Sequence, residues 1–519
     1  MPQSAPSPPA LEVSSVDDPR VVREAATEDY STHVVPHSWR AGRWSLAMAW
    51  WALFSAMFWL YIAAASADAV GTPATLVGMG LTIATYGVVN LVLSRYASRT
   101  GLTVALLSRR LFGLLGSALA PLIFAATALY YGVFEGSIVA VAFQKYFGGD
   151  IRIWYLVVVA YALPLVIGGV RTWLDKLNGL LLPFYVVGLV AVLVAATAER
   201  GYPEDWLAST ASSSAMPGWL TSYLIYMGVY IMMMYTVDYA RLGRVEDQRF
   251  HGTVTFGWVF YLFTFGVNGL IGIYLLRAWD IVGSETGVVD AFIKSLGFVG
   301  VLVIFVSQTR INTANYYLAS TNLEAFAARV LRLRLPRVVW VVVCGVIAYL
   351  LMLTDVLSYL LQALAWQGVF VTAWVAIALV HIALRGADRD GLPEFRPQRL
   401  APVTAGAGAW LVAAAVGIAL TEQSASPVLA QLAPLITLAL AGVLYAAALL
   451  LAPSPVRRRG GDPRDEVADV WETRIRCHAC DRAYVAVEMD RDIRSGEAIC
   501  SACAAEARPV TVPPTQRKE

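Results

Sequence analysis

The stretch Thr309-Arg-Ile-Asn-Thr-Ala-Asn-Tyr-Tyr317 places a cation and two amides in the middle of a long apolar segment. Such groups are costly to bury in hydrocarbon, so they rarely occur there without a partner or a role. Helical spacing puts five polar residues on one face, with Asn315 beside them. These five are Thr309, Asn312, Thr313, Tyr316 and Ser320. Such residues can simply hold helices together, but the whole cluster favours a binding site.

The composition is that of an integral membrane protein. Of the 519 residues, 58% are hydrophobic and 15% are charged, whereas soluble domains carry roughly 25% charged residues. The lipid bilayer is therefore the expected environment. The formal net charge of +2 gives no indication of a nucleic acid partner, and we expect none.

Twelve apolar segments approach the roughly 20 residues that a membrane-spanning helix needs. They are Trp44–Ala65, Ala74–Ser94, Leu119–Gln144, Ile153–Val170, Leu177–Thr197, Trp219–Val237, Thr253–Leu276, Phe298–Leu323, Val338–Leu353, Leu357–Val380, Val403–Leu420 and Val428–Leu451. The ninth is short and nearly continuous with the tenth, so a count of eleven is the alternative. The predicted fold class is an all-α integral membrane protein.

Basic residues alternate between the predicted loops. Five loops share 17 Lys and Arg, whereas the intervening loops hold five. The rich set is cytoplasmic by the positive-inside rule, which favours twelve spans, two cytoplasmic termini and a place in the plasma (inner) membrane. The segment Gly101–Gly113 is too short and basic to span, and we expect an interfacial helix there.

Two ionisable residues lie near the centres of predicted spans, Glu135 in span three and Arg310 in span eight. A central charge costs about 2.5 to 3.5 kcal/mol on insertion scales. The two side chains either pair structurally or line a site, and an ion pair between them in the empty state is one hypothesis. Mid-span aromatics such as Tyr130 and Tyr230 offer platforms for a flat ring, although ordinary packing is the alternative for each.

The end of the chain carries the pattern Cys477-His-Ala-Cys480, nineteen residues, Cys500-Ser-Ala-Cys503. This spacing is typical of a four-cysteine zinc site, in which two knuckles complete a tetrahedron and zinc is structural. A redox pair or disulfides are the alternatives, and a reducing cytoplasm disfavours stable disulfides. The predicted ligands are Cys477, Cys480, Cys500 and Cys503, and a cytoplasmic partner of this ribbon is a further expectation.

These patterns divide the chain into five parts. The first forty residues are polar and Pro/Ser-rich, which predicts a disordered cytoplasmic tail over 1–40. A twelve-helix domain over 41–455 follows. We then expect a linker over 456–470, a zinc-ribbon-like domain over 471–510 and a disordered end over 511–519.

Three motifs resemble nucleobase–cation symporter family one, the purine, cytosine, hydantoin and allantoin permeases. Val237-Asp-Tyr-Ala-Arg241 resembles the family's Asp-Phe/Tyr-Ser/Thr/Ala-Arg after its sixth helix. Asn312-Thr-Ala-Asn-Tyr-Tyr317 is similar to its Asn-x-x-Asn-Leu-Tyr pattern, and Leu53-Phe-Ser-Ala-Met57 to a Trp-Phe-Ser-Ala-Asn run. The resemblance covers about Glu28 to Leu451.

The resemblance implies a LeuT-like fold with a 5+5 inverted repeat plus two spans, with spans one and six broken around a midplane site. In the family, aromatics of spans three and six sandwich the substrate, and a Gln of span three and an Asn of span eight bind it. By position, the family's span-eight Asn corresponds to Asn315, with Asn312 beside it. The family's span-three Gln corresponds to Phe134, and Glu135 is the next residue. The aromatics are Tyr130 and Tyr230, with Tyr226 as the second choice for span six.

The resemblance also implies a coupling ion, either Na⁺ or H⁺. The family's span-eight sodium ligands fall near Thr309 and Arg310, and an arginine is incompatible with neighbouring sodium, so protons acting through Glu135 are preferred. The implied function is a secondary active symporter that imports a nucleobase-like or ureide heterocycle by alternating access. The alternatives are a sensor that signals through the ribbon and a transporter of an anionic small molecule. We expect no enzyme, because the spans carry no nucleophile or metal constellation.

Overall fold

The computed structural model describes residues 9–210, 216–333, 335–354, 360–423, 426–457 and 461–507. A helix or a broken helix pair lies at each of the twelve expected positions. In chain order they are span one Arg43–Trp50 with Phe58–Val70, span two Thr72–Thr100, span three Gly116–Phe147, span four Ile151–Val166, span five Val170–Arg200, span six Gly218–Met227 with Ile231–Ala240, span seven Val245–Trp279, span eight Phe298–Phe326, span nine Arg337–Met352, span ten Leu360–Leu384, span eleven Ala405–Glu422 and span twelve Pro427–Leu451.

Not every one of these helices is long and apolar enough to cross a membrane by itself. Among the described residues, seven qualify, and nine if each bent pair is one span. Spans four and nine are apolar but only 16 residues long, and span eight is not among the qualifying helices. A membrane crossing by those three helices therefore stays a prediction.

Spans one and six are each broken near their middle, as the resemblance implied. The two halves meet at 42° in span one and at 45° in span six. In span one, the short turn Leu53–Ser55 separates the halves; in span six, Gly228 and its neighbours do so. Each break exposes backbone groups that need partners inside the protein.

Burial separates a central layer from a peripheral one. The most apolar windows of spans three and seven are 72% buried, whereas those of spans five and twelve are 28% and 17% buried. Span eight packs along span three, and every residue from Ser307 to Asn322 is buried. Spans three and eight therefore form the interior against which the two broken spans lie.

The segment expected as an interfacial helix is a buried one. Helix begins at Val104, and Gly113 interrupts it with a φ of 76°. A Cβ at Gly113 would lie 2.7 Å from the Pro402 carbonyl oxygen, so glycine is required there for two reasons. All residues from 101 to 114 are buried, because the N-terminal segment and the ribbon cover this helix; the interfacial prediction is wrong.

The expectation of a disordered tail over 1–40 is wrong for residues 9–40. Strand β1 (Val13–Ser14) pairs antiparallel with β2 (Arg474–Arg476), which pairs with β3 (Ala483–Val485). A helix follows at Pro19–Glu28, capped by the Asp18 carboxylate. The N-terminal segment is thus ordered by a partner near the other end of the chain.

The remainder of the ribbon has strands β4 (Asp490–Arg491) and β5 (Ala498–Ile499) and a helix at Ser501–Ala507. The linker prediction is wrong for residues 461–470, because Asp462 and Arg464 are buried and bonded. Asp462 pairs with Arg396 at 2.7 Å. The end predicted as disordered, 511–519, lies outside the described residues.

The ribbon docks on the basic loops of the membrane domain, and we call this side the ribbon face. Arg399 pairs with Asp490 at 2.8 Å, and Arg329 donates to the Ala505 carbonyl oxygen. Arg396 donates to the Met489 carbonyl oxygen at 2.9 Å. The loops rich in arginine therefore serve as the docking surface for the chain's own end.

Candidate functional site

The carbonyl groups at the break in span one accept hydrogen bonds from side chains of spans seven and eight. The three bonds are Arg310 Nη2 to Trp51 O at 2.9 Å, Asn268 Nδ2 to Phe54 O at 2.7 Å and Ser307 Oγ to Ser55 O at 2.5 Å. A broken helix in a membrane needs such donors for its freed carbonyls. The polar residues of span eight thus stabilise the break.

The break in span six has partners of the same kind. The Tyr86 hydroxyl donates to Tyr226 O at 2.5 Å, and Gln367 Nε2 donates to Gly228 O at 3.1 Å. Span ten approaches closely there, because a Cβ on Gly368 would lie 3.6 Å from Gly228 Cα. Two neighbouring spans hold this break in place.

A small cavity of about 20 Å³ lies where both breaks meet spans three and eight. It has room for one water molecule and not for a ring, so the site is contracted. Its lining includes Phe58, Tyr131, Glu135, Val229, Tyr235 and Asn315. These residues come from spans one, three, six and eight.

Glu135 is 2% exposed and is linked to span one through Gln308. Gln308 Nε2 donates to the Glu135 carboxylate, while Gln308 Oε1 accepts from the Met57 backbone N–H at 3.3 Å. Met57 precedes the second half of span one. A single amide therefore connects the carboxylate to the break.

Asn315 anchors the polar wall of the cavity. Its Oδ1 accepts from the Tyr235 hydroxyl at 3.1 Å, and its Nδ2 donates to Asn312 Oδ1 at 3.3 Å. The Asn312 amide nitrogen is buried without an acceptor in the described part of the chain. Asn312 does not itself line the cavity; it is linked to the cavity through its bond to Asn315.

Glu135 and Arg310 do not form the ion pair that the sequence suggested. No carboxylate lies within 4.0 Å of the Arg310 guanidinium among the described residues, and its Nε and Nη1 have no partner there. Thr309 also lies away from the break, because its hydroxyl donates to Phe305 O at 2.6 Å and contacts the Tyr161 hydroxyl at 3.2 Å. Arg310, not Thr309, reaches span one.

Neither predicted aromatic lines the small cavity. Another tyrosine of the same span does so instead, Tyr131 in span three and Tyr235 in span six. Tyr130 is only partly buried and is not among the lining residues, whereas Tyr131 shares a face with Glu135 four residues on. Tyr230 packs edge-on against Tyr86 with ring centroids 5.3 Å apart. Tyr235 takes the place beside Asn315 that was expected for Tyr230 or Tyr226.

Sequence reasoning also missed Gln308, Ser307 and Asn268. Gln308 directly precedes the polar run, so extending that run by one residue would have included it. Nothing local signals that Ser307 and Asn268 bond span-one carbonyls, because that function depends on where span one breaks.

A second cavity, of about 350 Å³, lies on the side away from the ribbon face. Spans one, six, ten, eleven and twelve line it, mostly with apolar groups. Phe58 and Val229 belong to the lining of both cavities. These two side chains therefore separate the small cavity from the larger one.

On the ribbon face, Asp29 ties three parts of the membrane domain together. Its Oδ2 accepts from the Val170 backbone N–H at 2.6 Å and from the Tyr317 hydroxyl at 3.1 Å. Its carbonyl oxygen accepts from Arg241 Nη1 at 2.7 Å. We call these four residues the Asp29 cluster; it joins the start of span five, span eight and the end of span six.

The motif at the end of span six also bonds to neighbouring elements on the ribbon face. Asp238 Oδ1 accepts from the Val104 backbone N–H at 2.7 Å, and its Oδ2 accepts from Asn322 Nδ2 at 3.0 Å. Span six is thus bonded to span eight and to the helix before span three. Together with Arg241, this motif closes the ribbon face.

The four predicted cysteines come together in the ribbon. Their Sγ atoms lie within 4.8 Å of one another, and zinc tetrahedra with Zn–S bonds of about 2.3 Å need spacings of about 3.8 Å. The Cys500 N–H points at Cys477 Sγ at 3.3 Å, as a thiolate acceptor requires. His478 instead contacts Asp492 at 3.1 Å, so these four thiols are a fitting metal site without it.

The fold is that of solved secondary transporters. One similar structure is Mhp1, a nucleobase-cation-symport-1 family transporter, closed with bromovinylhydantoin bound; it is 16% identical, and the match covers 81% of this chain and 95% of that one with a TM-score of 0.64. Inward-facing Mhp1 matches at 15% identity over 88% and 98%, also with a TM-score of 0.64. A Na⁺-coupled sialic acid symporter, substrate-bound and outward-open, matches at 13% identity over 84% and 94% with a TM-score of 0.60.

No protein-family model and no curated protein sequence matches this chain. The structural similarity supports the LeuT-like fold and, with the apolar helices, a multi-pass membrane protein. The four thiols of the ribbon are close enough together to bind a zinc ion.

Proposed function

We propose that this protein is a proton-coupled symporter for a small planar heterocycle that carries adjoining C=O and N–H groups, such as a ureide or a nucleobase. One observation carries the proposal: Asn315, Tyr235 and Glu135 line a contracted cavity between two broken spans, and Asn312 bonds Asn315 from behind it. A primary amide presents a donor and an acceptor side by side, which matches the amide edge of such a ring. The Mhp1 complex with bromovinylhydantoin supports this substrate class.

Binding would expand the cavity and place the ring against Tyr131 and Tyr235. Asn315 would exchange its bond to the Tyr235 hydroxyl for bonds to the ring edge, and the free amide nitrogen of Asn312 would gain an acceptor. Access from the far side requires Phe58 and Val229 to separate, and access to the ribbon face requires the Asp29 cluster to open. The arginine-rich loops support a cytoplasmic ribbon face and cytoplasmic termini, and we propose the plasma (inner) membrane as the location.

Coupling is proposed to act through Glu135. A buried carboxylate whose partner is a neutral amide carries its charge at a cost of several kcal/mol, and protonation removes that cost. The proton also changes what Gln308 can bond, because a carboxylic acid donates where a carboxylate only accepts. Since Gln308 holds the Met57 N–H, protonation would be transmitted to the break in span one.

Arg310 argues against sodium as the coupling ion. Its guanidinium bonds the Trp51 carbonyl, one of the groups that a sodium ion at this break would need. A fixed positive charge a few ångströms away repels a second cation. We propose that Arg310 provides permanently the positive charge that an ion would otherwise bring.

Replacing Arg310 by methionine is expected to lower uptake roughly 10- to 100-fold, because an unsatisfied Trp51 carbonyl costs about 1–3 kcal/mol. Arg310→Lys should restore part of the activity, since one donor suffices for that carbonyl. Thr309→Ala is the matched control and should change uptake by less than about twofold. Wild-type uptake should be equal in sodium and choline buffers; sodium-dependent uptake would rule out this account of Arg310.

The experiment that tests the function is uptake into proteoliposomes. Radiolabelled hydantoin, allantoin, uracil, cytosine and hypoxanthine are offered under an inward proton gradient, with and without a protonophore. We expect accumulation of at least one compound that collapses with the protonophore and is lost in Asn315→Ala. Binding without uptake or counterflow by any of them would favour the second candidate, a sensor acting through the docked ribbon.

Metal binding by the ribbon is proposed separately. Purified protein should contain about one zinc per chain, and Cys477→Ser with Cys500→Ser should remove it. Because β1 and the N-terminal helix are docked through the ribbon, the double variant should also become sensitive to protease within residues 9–40. Cys344→Ser, the cysteine in span nine, is the control that should leave the metal content unchanged.

A further inference from the structure

A chamber of about 430 Å³ lies beneath the ribbon, and the transport route does not account for it. Its walls come from the N-terminal segment, the helix before span three, the end of span eight and the ribbon. This volume is in the range of small-molecule sites. The chamber is thus enclosed between the membrane domain on one side and the N-terminal segment and the ribbon on the other.

Most charged groups on its walls are paired. Glu24 bonds Arg482 at 2.5 Å, and Glu488 bonds His33 at 2.7 Å. Three charged residues of the lining form no ion pair within the described residues: Arg109, Glu28 and Glu324. The surplus is therefore one guanidinium and two carboxyl groups.

Arg109 is the side chain that points to a ligand. It is 8% exposed, yet no described residue accepts a hydrogen bond from its guanidinium, and its Nη1 is fully buried. Burial, and after it the charge of Arg329, lower the pKa of Arg109 to about 10. Arg109 lines the chamber and its guanidinium has no acceptor in the described part of the chain, so it fits a carboxylate, which a guanidinium can bind through two parallel bonds.

The two carboxyl groups, Glu28 and Glu324, indicate which groups a ligand would carry at the end away from Arg109. Glu324 is 7% exposed, and Glu28 ends the N-terminal helix directly before Asp29. Burial, and then the charge of Glu24, raise the pKa of Glu28. The charge of Arg337 acts on both groups in the opposite direction, but neither carboxyl group is in an ion pair within the described residues. Carboxyl groups without such a partner favour a ligand that brings N–H donors.

We propose that this chamber binds a small carboxylate that also carries N–H donors, with the carboxylate on Arg109 and the N–H groups on Glu28 and Glu324. The identity of the ligand class rests on the proposed function: it is a ureido acid, formed when an imported cyclic ureide is hydrolysed. In that reaction water adds to the ring carbonyl carbon and the ring C–N bond breaks. The carbonyl carbon becomes the carboxylate, and the nitrogen takes a proton and becomes part of the ureido group.

Occupancy of the chamber would hold the ribbon face closed. A ligand that bridges Arg109 and Glu28 ties the N-terminal helix to the membrane domain, one residue from the Asp29 cluster. Accumulated product would then slow import. The chamber thereby gives the ribbon a function in regulation by the downstream compound.

The test uses full-length, metal-loaded protein and N-carbamoylglycine, the ring-opened form of hydantoin, measured by calorimetry. We expect wild type to bind it, Arg109→Gln to weaken binding at least about tenfold, and Glu324→Gln to weaken it as well. Asn315→Ala should bind it normally, and acetate should bind far more weakly than N-carbamoylglycine. Melting temperatures of each variant establish that the fold is kept.

Absence of binding to wild type, or binding that Arg109→Gln leaves unchanged, would overturn the proposal. Loss in Asn315→Ala with retention in Arg109→Gln would also overturn it, because the ligand would then sit in the mid-membrane cavity. Arg109-dependent binding in a protein that transports no ureide would support the chamber while contradicting the proposed function. Where hydantoin is transported, N-carbamoylglycine should inhibit counterflow in wild type and not in Arg109→Gln.

Discussion

Glu135→Gln is expected to abolish proton-driven accumulation while leaving substrate exchange intact. A gradient of one pH unit stores about 1.4 kcal/mol per proton, enough for about tenfold accumulation. The amide cannot take up the coupling proton, so accumulation should fall to the equilibrium value. Its side-chain oxygen can still accept from Gln308, so the break in span one should keep its support.

The measurement compares net uptake under a pH gradient with counterflow at equal pH on both sides. Glu199→Gln, at the exposed end of span five, is the matched control and should behave as wild type in both assays. If Glu135→Gln still accumulates substrate against its gradient, protons are carried elsewhere or another ion drives transport. Loss of both activities would show that Glu135 binds the substrate itself.

Asp29→Asn is expected to open the ribbon face. The amide oxygen can keep the bonds from Val170 N–H and the Tyr317 hydroxyl only if the NH2 group turns toward the Trp39 indole N–H, which donates to Oδ1 at 3.3 Å. The substitution also removes the negative charge, and a bond to a charged group contributes about 1.5–3 kcal/mol. The balance between closed and open forms should therefore shift by roughly 10- to 100-fold. A cysteine at Ala319, which is fully buried in span eight, would report the change through faster labelling by a maleimide added on the ribbon face.

All labelling variants also carry Cys344→Ser and keep the ribbon metal-loaded, so that Ala319→Cys is the reactive cysteine. The same protein without Ala319→Cys measures the labelling that does not come from position 319. Asp175→Asn, which removes a carboxylate that bonds Ser45 at 2.5 Å outside the Asp29 cluster, should label as slowly as the parent. Equal labelling of Asp29→Asn and its parent would mean that the Asp29 cluster does not hold this face closed.

The sequence predicted the features that depend on local pattern. Apolar run length located the twelve helices, and cysteine spacing located the four thiols that come together in the ribbon. Asn315 and Glu135 emerged because polar groups are rare in mid-span, and the structure places both at the cavity. Their part in binding and coupling stays a proposal.

The features that the sequence does not locate depend on long-range packing. Tyr130 and Tyr131 differ by about 100° around one helix, and only the orientation of span three against span eight decides which faces the cavity. Gln308 looks like any polar neighbour until the break in span one brings Met57 to it. Residues 9–40 have a disordered composition, and their order comes from pairing with the distant ribbon, a contact that local sequence does not reveal.

The pairing of the two chain ends also sets an order of assembly. Glu12 contacts Arg476 across 464 positions, so β1 must wait for nearly the whole chain to be made. At about 5–20 residues per second, the delay is on the order of half a minute to a minute and a half. Throughout that time the helices can insert and find each other without the cover on the ribbon face. Docking of the ribbon then follows insertion of the helices, and a chain that stalls before its ribbon is complete would remain in the membrane as a helical domain without the cover on its ribbon face.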